Sequence, residues 1–181
     1  LGKEDERDLF PEAIRLAGEI HPRADMLENV RGFLDPKFDE YRTHILEAIR
    51  DLGYRVHIKL LNACDYGVPQ LRPRVVIVGI RNDVKSEFEY PIPNRDDTAT
   101  VGNTLKCLMG ANGWGGADNW AAQANKIAPT IVGGSKKHGG PDLGPARARK
   151  AWAELGVDGN GIANEAPAPD FEGMPKLTKE M

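Results

Sequence analysis

Residues 70–78 constrain this chain more than any other stretch. Gln70, Arg72 and Arg74 occur at every second position and lead into an unbroken apolar run, Val75-Val76-Ile77-Val78. A short apolar run bounded by a turn, here Gly67-Val68-Pro69, reads as a buried strand. Period-two spacing then puts Gln70, Arg72 and Arg74 on one side of that strand as it enters. Two guanidiniums side by side repel unless an anion or a polar ligand lies between them. The position is therefore either a charged strand end in water or a ligand site.

The rest of the first half organises around this strand. Asp8 can cap a helix whose first turn tolerates Pro11, and Leu9, Ala13, Leu16 and Ile20 recur at helical spacing. His21-Pro22 ends that helix. A short strand near Asp25–Glu28 follows and closes on Glu28-Asn29, and a carboxylate at a strand's C-terminal end lies where open α/β sheets bind ligands. Asp35-Pro36 reads as an N-cap and first-turn pair for a second helix marked by Phe38, Tyr41, Ile45, Ile49 and Leu52, with Gly53 as its stop. Strands near Tyr54–Ala63 and Arg74–Ile80 come next, joined by a loop over Asp65–Pro73. The order helix, strand, helix, strand, strand is that of the second half of a doubly wound α/β sheet.

After about Arg81 the character changes. Pro91, Pro93 and Asn94 form a connector, and Thr100–Met109 reads as a short helix. Beyond it glycines recur at 110, 113, 115, 116, 133, 134, 139, 140 and 144, which points to long loops on a small irregular domain. The whole chain carries a net charge of −3, yet residues 125–150 carry +5. A local basic block on an acidic chain is either a one-sided DNA surface or an ordinary solvated loop. Gly133-Gly134-Ser135-Lys136-Lys137-His138-Gly139-Gly140 offers backbone that can approach phosphates closely and cations that neutralise them. Arg147, Arg149 and Lys150 then run into an apolar-sided helical turn at Ala151–Leu155, where arginines could read guanine edges or grip phosphate. With 181 residues the chain can bury one sizeable core, or one domain and part of another. No apolar run is long enough to span a membrane, and the charged opening Leu1 to Arg7 holds no signal-peptide core. Two cysteines, Cys64 and Cys107, indicate a reducing, cytoplasmic setting, and no Cys/His cluster calls for zinc.

Glu28-Asn29-Val30 and the Gln70-x-Arg72-x-Arg74 segment, in this order and about forty residues apart, resemble the sixth and eighth signature motifs of the DNA cytosine-5 methyltransferases. Gly2-Lys3 through Arg7-Asp8-Leu9-Phe10 is similar to the segment after that family's catalytic loop. Pro175-Lys176-Leu177-Thr178-Lys179-Glu180-Met181 is similar to the opening of its ninth motif. The resemblance implies an S-adenosylmethionine-dependent methyltransferase fold of Rossmann-like type, with 1–81 as the C-terminal half of the catalytic domain. It further implies that 82–174 is a connector and loop-rich target-recognition domain, and that 175–181 returns to the catalytic domain.

The implied chemistry is the methylation of carbon 5 of cytosine in duplex DNA, as in bacterial restriction–modification. A cysteine thiolate adds to C6, and charge then builds on N3 and O2. The resemblance gives Glu28 the N3 carboxyl role and Arg74 the stabilisation of O2. Asn29 would hold the motif's turn, Arg72 would organise the pocket or a phosphate, and Gln70 would orient the loop. Leu9 would lie near the adenine of S-adenosylmethionine, while Lys136, Lys137, Arg147, Arg149 and Lys150 would contact DNA.

The family's nucleophile directly follows a proline. Cys64 follows Ala63 and Cys107 follows Lys106, so neither matches, and no glycine-rich cofactor turn is found. The expectation is an internal piece of a larger, nucleoid-associated enzyme, or one part of a split enzyme whose companion supplies the rest. Such a piece is expected to be inactive alone and prone to self-association. A non-catalytic DNA-binding module and a transfer-RNA cytosine methyltransferase are the other readings.

Overall fold

The computed structural model describes residues 8–94, 99–132 and 141–181. Its contacts divide into two compact units, Leu1–Leu61 with Pro73–Ile92, and Asn62–Arg72 with Pro93–Met181. This grouping follows packing rather than the sequence divisions at 81 and 174. Residues 82–92 stay with the sheet, whereas the loop 62–72 and the terminal 175–181 join the second unit.

In the first unit, helix α1 spans Phe10–Ile20. The Asp8 carboxylate accepts the Phe10 N–H at 3.1 Å, so it supplies the expected N-terminal acceptor. The helix ends at His21, whose φ of 48° is left-handed, directly before Pro22. Strand β1 (Ala24–Val30) follows, then two 3-10 turns, Arg31–Leu34 and Pro36–Phe38. Helix α2 spans Asp39–Asp51. It starts later than Asp35-Pro36 indicates, because Pro36 opens the second 3-10 turn and the Asp35 side chain caps nothing. Gly53 takes a φ of 88° just past the helix, the backbone state that a glycine stop supplies.

Strands β2 (Tyr54–Asn62) and β3 (Pro73–Arg81) complete a three-stranded sheet of order β1-β3-β2. The chain is thus α/β as expected, but β3 runs antiparallel to β1, from Ala24 opposite Ile80 to Val30 opposite Arg74. The parallel neighbours of a regular doubly wound sheet are not what the described residues form. Val75 and Ile77 are fully buried on the helix-facing side, packed with Phe10, Phe33, Ile45, Ile49 and Tyr54. Phe10 stacks on Phe33 at 5.2 Å, and Tyr41 meets both rings edge-on. β3 starts at Pro73, so Gln70 and Arg72 precede the strand, and of the three period-two residues only Arg74 lies in it. The missing N–H of Pro73 marks where ladder pairing can begin.

Among its described residues the second unit holds three short α-helices, α3 (Val101–Met109), α4 (Ala117–Gln123) and α5 (Ala146–Ala153). Thr100 caps α3 by accepting the Asn103 N–H at 3.2 Å. Gly102 lets α3 cross α4 closely, since a Cβ there would sit 2.0 Å from the Ala121 carbonyl oxygen. The core joins Val101, Leu105, Met109, Trp120, Trp152, Leu155 and Val157 with Leu177 from the terminal segment. That segment is tied in by backbone bonds from Asp158 N–H to Pro175 and from Ala163 N–H to Leu177. Helix α5 begins earlier than expected, and Arg147, Arg149 and Lys150 ride on it rather than flank it. Among the described residues no helix is long and apolar enough to cross a membrane.

Candidate functional site: a carboxylate–guanidinium pair beside an open cavity

The β1·β3 register decides what Glu28 can reach. Glu28 lies opposite Val76, and Arg74 is two residues before Val76 on the antiparallel strand. Glu28 and Arg74 are therefore diagonal neighbours on one face of the sheet, within reach of long side chains. Arg74 Nε donates to Glu28 Oε1 at 2.5 Å, and its Nη1 donates to the Pro73 carbonyl at 2.9 Å. The second bond fixes the guanidinium and leaves Nη2 without a bonded partner among the described residues. Glu28 is half exposed (50%) and Arg74 less so (21%), which leaves the carboxylate the more accessible partner. Asn29 accepts the N–H of Val30 at 2.8 Å through its side chain and so shapes the end of the strand.

Glu28, Asn29 and Val30 line an open cavity of about 680 Å³ together with Asp8, Leu9, Phe10, Ala13, Phe33, Asp35 and Lys37. Leu9, 72% exposed, is among its walls, so this side chain is not simply core. Tyr41 also lines it and donates from its hydroxyl to Asp8. Burial and the Asp8 carboxylate raise the Tyr41 hydroxyl well above its ordinary range, so it stays a donor. The volume suits a small-molecule ligand. The apolar wall of Leu9, Phe10 and Phe33 beside the Asp35 carboxylate is compatible with a group that joins a flat apolar ring to a positive centre. S-adenosylmethionine is such a group, and these residues fit it.

Gln70 and Arg72 belong to the second unit. The Gln70 backbone bridges to Ala128, whose carbonyl accepts from Leu71 N–H and whose N–H donates to Pro69 O, each at 2.8 Å. Thr130 donates its hydroxyl to Leu71 O. Arg72 N–H donates to Asn62 Oδ1 at 3.1 Å. Cys64 is half-buried in the 3-10 turn Ala63–Tyr66. Burial, with Asp65 adding to it, pushes its thiol up, the opposite of what a nucleophile needs. Cys107 is exposed on α3.

On α5, Arg147 and Lys150 are exposed. Arg149 is not a free cation: its Nη1 lies 3.2 Å from Asp142 Oδ2 and donates to Gly144 O at 3.0 Å. Lys136 and Lys137 lie outside the described residues. No sequence signal pointed to the Asp142–Arg149 pair, whose members stand seven apart across a helix start, or to Tyr41 and Asp35 as cavity walls. Among the described residues no cluster of His, Cys, Asp or Glu is placed to hold a metal ion.

The family profile described as C-5 cytosine-specific DNA methylase matches residues 1–152. The Type II methyltransferase M.NaeI of Lentzea aerocolonigenes is 57% identical over the whole of this chain, which covers 44% of it. M.NgoMIV of Neisseria gonorrhoeae, also a Type II methyltransferase, is 50% identical, again over the whole chain and 58% of its own length. M.BspRI of Lysinibacillus sphaericus is 45% identical over 49% of this chain. The chain thus spans about half the length of the curated relatives it matches throughout. A profile match over most of its residues, with relatives this similar, places it by descent: the chain belongs to the C-5 cytosine-specific DNA methylases.

Proposed function

We propose that this chain supplies the base-handling side of a DNA cytosine-5 methyltransferase, with residues of its second half recognising the duplex. The Glu28–Arg74 pair carries the reading. It sets a carboxyl group and a guanidinium on one sheet face, with the carboxyl lining a cavity. A cytosine taken out of the stack presents N3 and O2 side by side along one edge. Glu28 holds a proton at N3, and the free edge of Arg74 donates to O2 as negative charge grows there. The bond from Arg74 to the Pro73 carbonyl keeps the fork aimed during that change. Asn29 keeps the strand end in shape, Arg72 serves the pocket or a phosphate, and Gln70 orients the loop. Leu9 and its apolar neighbours would hold S-adenosylmethionine, which supplies an electrophilic methyl group when bound.

Residues 1–81 carry this chemistry in the proposal, 82–174 the recognition, and 175–181 the return. The exposed cations Arg147 and Lys150, within a block of net charge +5, support duplex DNA as the partner. The test is methyl transfer from labelled S-adenosylmethionine by the full-length protein to duplex DNA and to folded transfer RNA, with Leu9→Ala and Arg74→Lys variants. Transfer to DNA, a raised KM for S-adenosylmethionine in Leu9→Ala and a lowered rate in Arg74→Lys are expected. Transfer to RNA alone would favour a transfer-RNA enzyme, and DNA binding without transfer would favour a non-catalytic module.

A further inference from the structure

Arg149 stands in the middle of a basic helix, yet its guanidinium is committed to its own unit. Asp142 accepts the Gly144 N–H at 2.9 Å through Oδ1 and faces Arg149 Nη1 through Oδ2. Arg149 also donates to Gly144 O, so one guanidinium closes both ends of the turn that leads into α5. Three further features keep the arrangement in place. The Asp142 side chain is only 14% exposed, which strengthens its pairing relative to a surface ion pair. Gly144 has a φ of 106°, and a Cβ there would lie 2.4 Å from Val132 Cγ2, so the turn is held tightly against 132. A Cβ on Gly159 would lie 3.2 Å from Arg149 Cα, and Leu143 N–H donates to Gly159 O at 3.0 Å. Arg149 is thus walled by the turn on one side and by Gly159 on the other, while Arg147 and Lys150 remain exposed on the same helix.

We propose that Arg149 is a positioning residue for sequence discrimination. It locks the 142–144 turn to α5 and so presents Arg147 to base edges in one orientation, while Lys150 meets phosphate. The proposal rests on the reading of the protein as a DNA methyltransferase. Base readout needs a guanidinium held in a fixed geometry, whereas phosphate neutralisation tolerates a mobile cation. The Asp142–Arg149–Gly144 knot supplies that rigidity at the helix start, where Arg147 sits.

The experiment uses the full-length protein, duplexes bearing the sequence that the wild type methylates, and scrambled duplexes, titrated with salt. Arg149→Gln and Arg147→Ala are each expected to lower the cognate-to-scrambled affinity ratio by about five-fold or more. The salt slope of Arg149→Gln should stay at the wild-type value, because no phosphate contact is lost. Lys150→Ala should lower the slope by about 0.9 and keep the ratio. Asp142→Asn should reproduce Arg149→Gln, and the double variant should be no worse than either single one. A lowered slope with a preserved ratio in Arg149→Gln would make Arg149 a direct phosphate contact and overturn the proposal. Amide exchange without DNA gives an independent readout: Leu143 and Gly144 should exchange faster in Arg149→Gln, and unchanged exchange overturns the clamp. If the wild type neither methylates nor prefers any duplex, the methyltransferase reading fails, and the amide exchange still decides whether the clamp exists.

Discussion

Replacing Glu28 by Gln separates a catalytic carboxyl from a structural one, because the two roles differ greatly in size. Structurally, Glu28 contributes one ion pair to Arg74 with one partner half exposed. Such a pair is screened and is worth about 0–1 kcal/mol, and the amide oxygen can still accept the Arg74 bond. The Arg74 bond to Pro73 O survives, so the guanidinium keeps an anchor. A loss of no more than about 1 kcal/mol shifts the melting temperature by about 2–4 °C in a protein of this size class. In the proposed catalytic role the loss is larger, since an amide cannot pass a proton to N3. General acid–base assistance is worth about a hundred- to ten-thousand-fold, or about 2.7–5.5 kcal/mol of barrier. Glu28→Gln should therefore slow single-turnover methyl transfer by at least about a hundred-fold while melting close to wild type and binding cognate duplex almost as well. An unchanged single-turnover rate would refute the reasoning and leave Glu28 as a strand-end ion pair.

Gly102→Ala should destabilise the second unit by about 1–3 kcal/mol or more in a urea melt, because its new methyl group would overlap the Ala121 carbonyl and force α3 from α4; a neutral effect would mean the crossing is loose. Burial holds Asp25 above the ordinary carboxylate range against the Gly79 N–H bond, which pulls the other way. The folded chain then binds that proton more tightly than the unfolded chain, so stability should fall as pH rises from about 4 through the folded value, and Asp25→Asn should remove that slope. Urea melts from pH 4 to 8 read this, and an identical profile in the variant would refute it. A maleimide should label the exposed Cys107 well before Cys64, and Cys64→Ala should leave methyl transfer intact; loss of transfer on that change would make Cys64 the nucleophile.

Much of the first unit was legible because each element is written in local chemistry. Val75 to Val78 could only be a buried strand, Gly53 supplied the left-handed residue that ends α2, and His21-Pro22 stopped α1. The antiparallel direction of β3 was not legible, since strand pattern is the same in either direction and only pairing partners decide it. The start of α2 was misplaced for a related reason. Asp35-Pro36 is a genuine opening signal, but it opens a 3-10 turn that precedes the helix. In the glycine-rich half, α4 escaped notice because Ala117–Gln123 is too short to show a period.

The Gln-x-Arg-x-Arg segment shows most clearly how sequence and structure divide the work. Period two suggested three polar side chains on one strand face, but Pro73 delays the ladder and splits the motif. Arg74 enters the sheet, where the antiparallel register brings it diagonally to Glu28 across forty-six residues of chain. Gln70 and Arg72 stay in a loop whose backbone is bonded to Ala128 and Asn62. A proline within an alternating pattern thus carries information of its own: it marks where one packing unit hands the chain to another. The same logic explains the basic block. Counting cations does not separate Arg147, Arg149 and Lys150, whereas the bonds of Arg149 to the nearly buried Asp142 and to Gly144 O set it apart from Arg147 and Lys150, which stay exposed. Charge composition identifies a surface, and the hydrogen-bond partners decide which of its charges are free to act.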